Sequence, residues 1–266
     1  MAKVTRVTQT RKAGRYNIYL DDEFAFAVDE KILLQFNLFK DAEVSDEQRA
    51  EIISAEFNQK AYMAGLVYAT GSMRSRQQVL DKLREKEFPA EVRQQAVDRL
   101  IALNIINDQM FAEEYVQSQA RSGKLGPNGV KYKLKQMGID QFTIEDALEF
   151  YGEEDQLDNL EKHVETLFGK YKRESSFMAN NKVQQKLYQL GFQRSYIDQA
   201  LANFHDEHEI DDDEAWENLT REAEKLADRH DDLAGWDFKN KVKSGMYRKG
   251  FDLGEVERWL REYDHN

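Results

Sequence analysis

The segment Arg121-Ser122-Gly123-Lys124-Leu125-Gly126-Pro127, followed at alternate positions by Lys131, Lys133 and Lys135, concentrates positive charge around a predicted helix start. Its chemistry is electrostatic. Amide donors at a helix N-terminus, together with nearby ammonium and guanidinium groups, can hold a phosphate or a carboxylate. The plainer reading is a solvated, well-capped helix start, and for any single residue it is the stronger one, because charged helix faces are the norm. The group taken together favours a surface for a large anionic partner. Lys131 and Lys135 are one turn apart beside the apolar stripe of Val130, Leu134 and Met137, so both lysines belong outside the core.

No other combination of side chains amounts to a reaction centre. His205-Asp206-Glu207-His208-Glu209 mixes imidazoles with carboxylates, the ligand types of divalent ions. It leads straight into Ile210-Asp211-Asp212-Asp213-Glu214, however, and an acidic connector loses too much entropy on ordering to preorganise four ligands. Glu113-Glu114 and Glu153-Glu154 are adjacent, which on a helix points them about 100° apart instead of across a substrate. His163 and His230 lie in charged helical segments and His265 is nearly terminal; none accompanies a serine or a facing carboxylate pair. The chain has no cysteine, and no glycine loop before a lysine, dinucleotide fingerprint or zinc spacing occurs in it. No catalytic residue, metal or cofactor is therefore expected. Phe88, Phe192 and Phe251 could stack on bases, but they recur at one position of a repeat and read as core. Trp216, Trp236 and Trp259 all fall near the end and are expected to pack the last repeat.

A formal net charge of −12 argues against nucleic acid as the main ligand, since affinity for a phosphate backbone comes largely from lysine and arginine. The distribution qualifies the total. Acidic residues concentrate from Glu145 to Glu165 and from Asp206 to Asp232, whereas basic ones collect from Arg121 to Lys135, Lys170 to Arg194 and Lys239 to Lys249. The potential therefore alternates along the chain. No stretch approaches the roughly 18 uncharged apolar residues that cross a bilayer. The start, Met1-Ala2-Lys3-Val4-Thr5-Arg6, lacks the apolar run of a signal peptide. A cytoplasmic protein without membrane contact is expected.

Charged residues make up 33% of the chain and prolines number two, which suits long exposed helices. At the start, Tyr16, Ile18 and Leu20 and then Phe24, Phe26 and Val28 alternate with period two, with Asp21-Asp22 as turn chemistry between them. With a strand near Val4 to Gln9 they predict a three-stranded meander. Asp29 is expected to cap a short helix, and Ser45 with Gln48 to open a helix to about Tyr68. Then the sequence repeats. The frame Val79-x3-Leu83-x4-Phe88-x8-Val97 recurs ungapped as Val130, Leu134, Ile139, Leu148; as Val183, Leu187, Phe192, Leu201; and as Val242, Met246, Phe251, Leu260. Gly138, Gly191 and Gly250 precede the central apolar residue, where a helix end calls for positive φ; the first copy has Glu87 there.

Each frame holds two helices. Amphipathic segments upstream, at Ala61 to Ala69, Met110 to Ala120, Leu157 to Phe168 and Ala215 to Ala227, supply a third. Ser75, Ser176 and Gly126-Pro127 sit where middle helices start. The fold expected is mainly α: tandem three-helix repeats in an elongated curved array behind a small N-terminal β-rich module. The divisions are 1–44 for that module and its short helix, 45–106, 107–152 and 153–205 for three repeats, and 206–266 for an acidic linker with the fourth. Tyr151 to Asp155 and His205 to Asp213 read as solvated hinges or spacers between repeats.

Over essentially its full length the chain resembles the RecX family. The likeness rests on Phe111-Ala112-Glu113-Glu114-Tyr115 through Arg121, then Gly123-Lys124-Leu125-Gly126-Pro127 and Lys133-Leu134-x3-Gly138-Ile139, with Met73-Arg74-Ser75, Leu83, Phe88 and Asn107-Asp108. Glu87 and Met246 depart from the pattern. The β-rich start and fourth repeat are similar to the longer members from Gram-positive bacteria. The resemblance implies a monomeric cytoplasmic regulator of homologous recombination, DNA repair and the SOS response. Its partner would be the filament of RecA, the ATP-dependent recombinase that coats single-stranded DNA. Lodged in the filament groove, it would inhibit ATP turnover and strand exchange, touching single-stranded or duplex DNA weakly if at all. On that reading the contact surface comprises Arg74, Arg76, Arg121, Lys124, Lys131, Lys133 and Lys135. A helical DNA-binding protein and a general protein-binding scaffold that ignores RecA are the competing classes. A salt-dependent DNA titration separates the first, and RecA's ATP hydrolysis the second.

Overall fold

In the computed structural model, which describes residues 1–208 and 212–263, the chain packs as two compact units. One comprises Met1–Ala112 with Leu134–Thr143; the other comprises Glu113–Lys133 with the chain from Ile144 onward. Thirteen helices and four strands are present among the described residues. None of these helices is long and apolar enough to cross a membrane.

The first unit opens with β1 (Ala2–Gln9), β2 (Arg15–Leu20) and β3 (Glu23–Asp29), then α1 (Glu30–Gln35) and β4 (Glu43–Val44). The sheet is antiparallel in the order β3-β2-β1-β4, so the expected meander gains a fourth strand. Two residues are too few to show a period of two, which is why sequence reading misses β4. Asp21 and Asp22 turn β2 into β3 with φ of 46° and 71°, the double positive φ of the tight turns whose twist matches a hairpin. Asp29 accepts from the Lys31 N–H and caps α1. Val4, Ile18 and Val28 from the sheet pack with Ile32 and Ile52 into one core. Buried Glu56 ties sheet to helix: it accepts the Asp29 N–H at 2.7 Å and pairs with Arg15 at 2.7 Å.

Ser45 and Gln48 form the capping box expected of them, and α2 then runs Asp46–Gly71. Its second half packs with α3 (Arg76–Glu85) and α4 (Ala90–Ala102) around Val79, Leu83, Val97 and Leu100. Further along come α5 (Asp108–Ser122), α6 (Pro127–Gln136) and α7 (Gln141–Leu148). The second unit continues with α8 (Glu153–Tyr171), α9 (Ser176–Gln189) and α10 (Arg194–Glu207), then α11 (Asp212–Arg229), α12 (Gly235–Arg248) and α13 (Leu253–Tyr263). Leu160, Val183, Leu187, Phe192 and Ile197 form the core of α8–α10, and Leu226, Val242, Met246, Val256 and Trp259 that of α11–α13. Met246 fills its frame position as Leu83, Leu134 and Leu187 do in the earlier copies. Trp259 is buried and Trp216 half-buried under Arg258, but Trp236 is 77% exposed, contrary to its expected place in the core. The second position of α12 points it away from the triplet.

The frame glycines do more than turn the chain. Gly138, Gly191 and Gly250 adopt φ of 79°, 88° and 74°, and each lies against the start of the preceding middle helix. A Cβ on Gly138 would stand 2.4 Å from the Gln77 Cβ, one on Gly191 2.0 Å from the Gly129 nitrogen, and one on Gly250 2.7 Å from the Phe177 ring. The carbonyl before each glycine accepts a hydrogen bond across the joint: Met137 from the Ser75 hydroxyl at 2.7 Å, Leu190 from the Gly126 amide at 2.9 Å, Lys249 from the Ser175 hydroxyl at 2.6 Å. The α9 cap is therefore Ser175, not the neighbouring Ser176 expected from sequence, and its oxygen also accepts the Met178 N–H.

Glu87 keeps the left-handed backbone, with φ 63°, and is exposed. No triplet precedes the first, so its turn needs the conformation but not the close approach. A side chain there costs about 1 kcal/mol of local strain that glycine escapes. Glu87→Gly is expected to raise the urea midpoint of the first unit, with a gain of up to about 1 kcal/mol. A lower midpoint would show that the Glu87 side chain contributes more than its backbone loses.

The first proposed hinge is tighter than expected. Tyr151 is buried and donates its hydroxyl to the Leu125 carbonyl at 2.9 Å, and α8 begins two residues later. His205 to Glu207 belong to α10 and α11 starts at Asp212, so of the second joint only His208 is described between helices; Glu209, Ile210 and Asp211 lie outside the described residues. Two elements of the histidine run have partners of their own, His205 Nε2 meeting Asn180 Oδ1 at 2.7 Å and His208 stacking on Phe204. Glu209, the last residue of that run, and His265 fall outside the described residues.

Candidate functional site

The segment from Arg121 to Pro127 is held from two sides within the second unit. Helix α5 ends at Ser122, and Gly123 then turns with φ 65° directly over Asn159 of α8, leaving 2.4 Å between an added Cβ and the amide oxygen. Buried Asn159 donates to the Ala120 carbonyl at 2.7 Å, and His163 Nε2 donates to the Gly123 carbonyl at 2.7 Å. His163 thus has a structural part that its charged surroundings in sequence do not reveal. It also meets Phe192 edge-on at 5.7 Å. Burial pushes the Tyr151 phenol up, against a hydrogen bond from Asn159 that lowers it, so the phenol stays protonated and donates to Leu125. Arg121 and Lys124 are exposed on this fixed segment.

Pro127 occupies the first position of α6, where its missing N–H is harmless. The expectation that the α6 amides hold an anion is corrected here. Gly126 and Asn128 donate their N–H groups to the Leu190 and Gly191 carbonyls, both at 2.9 Å, and Gly129 is covered by the Leu190 oxygen. The helix start is a socket already filled by the α9–α10 turn. What it presents to a ligand is side-chain charge alone.

Along α6, Val130 and Leu134 are fully buried, while Lys133 and Lys135 are exposed and Lys131 is half-buried. Met137, expected in the stripe, is only half-buried. Lys131 stands 3.6 Å from Glu145, so it has an acidic neighbour that the linear sequence hides. At that distance and exposure the pair contributes at most about 1 kcal/mol and leaves Lys131 available to a stronger anion.

Arg74 and Arg76 lie in the first unit and do different work. The Arg74 guanidinium covers the Tyr68 ring at 4.6 Å with its Nε buried and without a hydrogen-bond acceptor. Arg76 donates from its side chain to Gln94 at 2.9 Å and from its backbone to the Asp108 carboxylate at 2.7 Å. Burial holds the Asp108 carboxyl above its ordinary value, opposed by the hydrogen bond from Arg76. Asn107 caps α5 by accepting the Met110 N–H. The Asn107-Asp108 pair therefore starts two helices at once. Arg121, Lys124, Lys131 and Lys133 belong to the second unit, and Lys135 to the first.

Family models match almost the whole chain: the regulatory protein RecX N-terminal domain over residues 2–45, the first RecX three-helix domain over 61–100, the second over 107–148, and the third over both 153–201 and 212–260. Regulatory protein RecX of Levilactobacillus brevis is 33% identical over 262 residues, with 98% of each chain covered. Regulatory protein RecX of Limosilactobacillus reuteri is 35% identical over 264 residues, with 99% of each covered. A solved structure described as the crystal structure of regulatory protein RecX superposes with a TM-score of 0.68 at 33% identity, over 76% of this chain and 100% of that one. With its β-sheet module, its tandem three-helix units and relatives matched nearly end to end, the chain belongs to the RecX family of regulatory proteins.

Proposed function

We propose that this protein binds the filament formed by the RecA recombinase on single-stranded DNA and restrains its ATP hydrolysis and strand exchange, thereby limiting homologous recombination. The observation carrying this reading is membership of a family of regulatory proteins over nearly the full chain. The rigid presentation of Arg121 and Lys124, with Lys131, Lys133 and Lys135 along α6, supports it. A filament on DNA is polyanionic, so a regulator of net charge −12 needs a local positive face to approach it. Arg74 and Arg76 are further contact residues in this reading, carried by the first unit. The protein acts as a cytoplasmic monomer without cofactor or catalytic residue.

The deciding measurement is RecA's single-strand-dependent ATP hydrolysis at rising concentrations of this protein. Inhibition is expected well below one molecule per RecA subunit if one chain of tandem repeats spans several subunits. A strict one-to-one requirement would mean capture of free RecA. Unchanged hydrolysis would remove the proposal and leave a scaffold for some other partner.

A further inference from the structure

Helix α2 is apolar on more than one side, and its own chain covers only part of that surface. Ile52 in its first half joins the core beneath the sheet, while Ala61, Tyr62 and Ala69 in its second half join the core shared with α3 and α4. Away from both runs a further row, Ile53, Phe57, Lys60, Ala64 and Val67, at intervals of four, three, four and three. That spacing holds the five residues within roughly 80° of arc over about 21 Å of helix. Ile53 is 51% exposed and Val67 68%, with exposed Met63 beside them; Phe57 rests on Phe88 by one side and is otherwise open. A contiguous apolar surface of this kind on a folded chain marks a place where something docks.

The spacing says what shape fits. Alternating steps of four and three form the seam along which one helix packs on another. Over its first half the seam is one wall of a groove, where Ala50, Ile53, Phe57 and Lys60 face Phe24, Phe26 and Ala27 of β3. An added strand fits poorly, because the Ala27 carbonyl and the Asp29 N–H on β3 are already engaged by the Arg15 and Glu56 side chains. Lys60 then decides between a second copy and a different protein. It sits at the middle of the seam, 3.6 Å from Glu56, a carboxylate that Arg15 already holds at 2.7 Å and that also accepts the Asp29 N–H. Two copies of α2 laid seam to seam, parallel in register or antiparallel about the centre, bring Lys60 against Lys60, and like charges so placed oppose pairing. A carboxylate on the facing helix turns the same lysine into a pin that fixes register.

We propose that the exposed seam of α2 docks an amphipathic helix of another protein, one that sets a carboxylate between large apolar residues opposite Lys60. The seam lies within the first unit and calls for neither nucleic acid nor a filament, so it stands or falls apart from the restraint of RecA.

The test is fluorescence anisotropy of two fluorescein-labelled helical peptides titrated with the full-length protein in the absence of RecA. Both carry leucine at seam positions; one has glutamate at the central position and the other lysine. The glutamate peptide is expected to bind at least tenfold more tightly. Lys60→Gln should make the two bind alike, and Lys60→Glu should reverse their order. Ile53→Asp with Val67→Asp should weaken the glutamate peptide tenfold or more, and since both side chains are exposed the circular dichroism of that variant should match the parent. The proposal fails if neither peptide binds, if the parent binds both equally, or if the aspartate double variant binds as the parent does. A peptide of the same composition rearranged to alternate apolar and polar residues, binding as tightly, would overturn it in favour of an added strand. Sedimentation of the parent as a dimer that the aspartate substitutions dissociate would overturn it in favour of a second copy.

Discussion

Gly191→Ala is expected to destabilise the second unit by about 3–5 kcal/mol, the range reserved for substitutions that break packing outright. The new Cβ would lie 2.0 Å from the Gly129 nitrogen and 2.5 Å from its Cα, both main-chain atoms of a helix with no room to yield. Forcing the two helices apart also breaks the bonds from Gly126 and Asn128 to the Leu190 and Gly191 carbonyls, each contributing about 1 kcal/mol. Left-handed φ at 88° adds a further penalty for any residue with a side chain. Gly14→Ala is the control: its φ of 73° is similar, but nothing lies within 4 Å of the added carbon. Its loss should be only about 1 kcal/mol. Urea denaturation followed by circular dichroism compares the two. Equal losses would mean that the joint between α6 and α9 opens freely.

Reversing Lys131 and Lys135 to glutamate is expected to weaken RecA restraint at least tenfold, about 1.4 kcal/mol of binding, with the fold kept. Val130 and Leu134 carry the helix into the core and are untouched. Lys131→Glu places like charges near Glu145, but that carboxylate is 54% exposed and the repulsion is screened. At an interface with a polyanion, two inverted charges convert attraction into repulsion, and each rim position is worth about 1 kcal/mol or more. Lys225→Glu with Arg229→Glu, on acidic α11, is the matched control and should change little. The readout is the concentration giving half-inhibition of RecA's ATP hydrolysis. Should both double variants inhibit alike with full helical signal, the contact surface lies elsewhere.

What could be read from sequence was local. The capping box at Ser45 needs only residues three apart, the helix start at Ser75 only its place before an apolar period, and the left-handed glycines only the end of one. Phe192 and Phe251 were legible as core for the same reason, and Phe88 nearly so, half-buried against Phe57. The site was legible as a concentration of charge, not as a built object. Nothing in the linear chain joins Gly123 to Asn159 and His163, Lys131 to Glu145, or the α6 amides to Leu190, because those contacts span 14 to 64 residues and depend on how one triplet meets another. Trp236 was misplaced because being aromatic and near the end of the chain does not say which side of α12 it occupies.

The joints between triplets have a consequence for how such a chain can lengthen. Each of the two central triplets, α5–α7 and α8–α10, brings both halves of a coupling, a helix start that receives and a glycine turn that inserts, separated by a stretch of its own sequence. Tandem duplication of one whole triplet therefore yields a copy that fits between its neighbours with no adjustment on either side, whereas duplication of half of one leaves a plug without a socket. Residues 153–201 and 212–260 matching one and the same domain model is the trace such an event leaves. Triplet number is thus a quantity that can change in single steps, each added copy coupling to its neighbours through one helix start and one glycine turn.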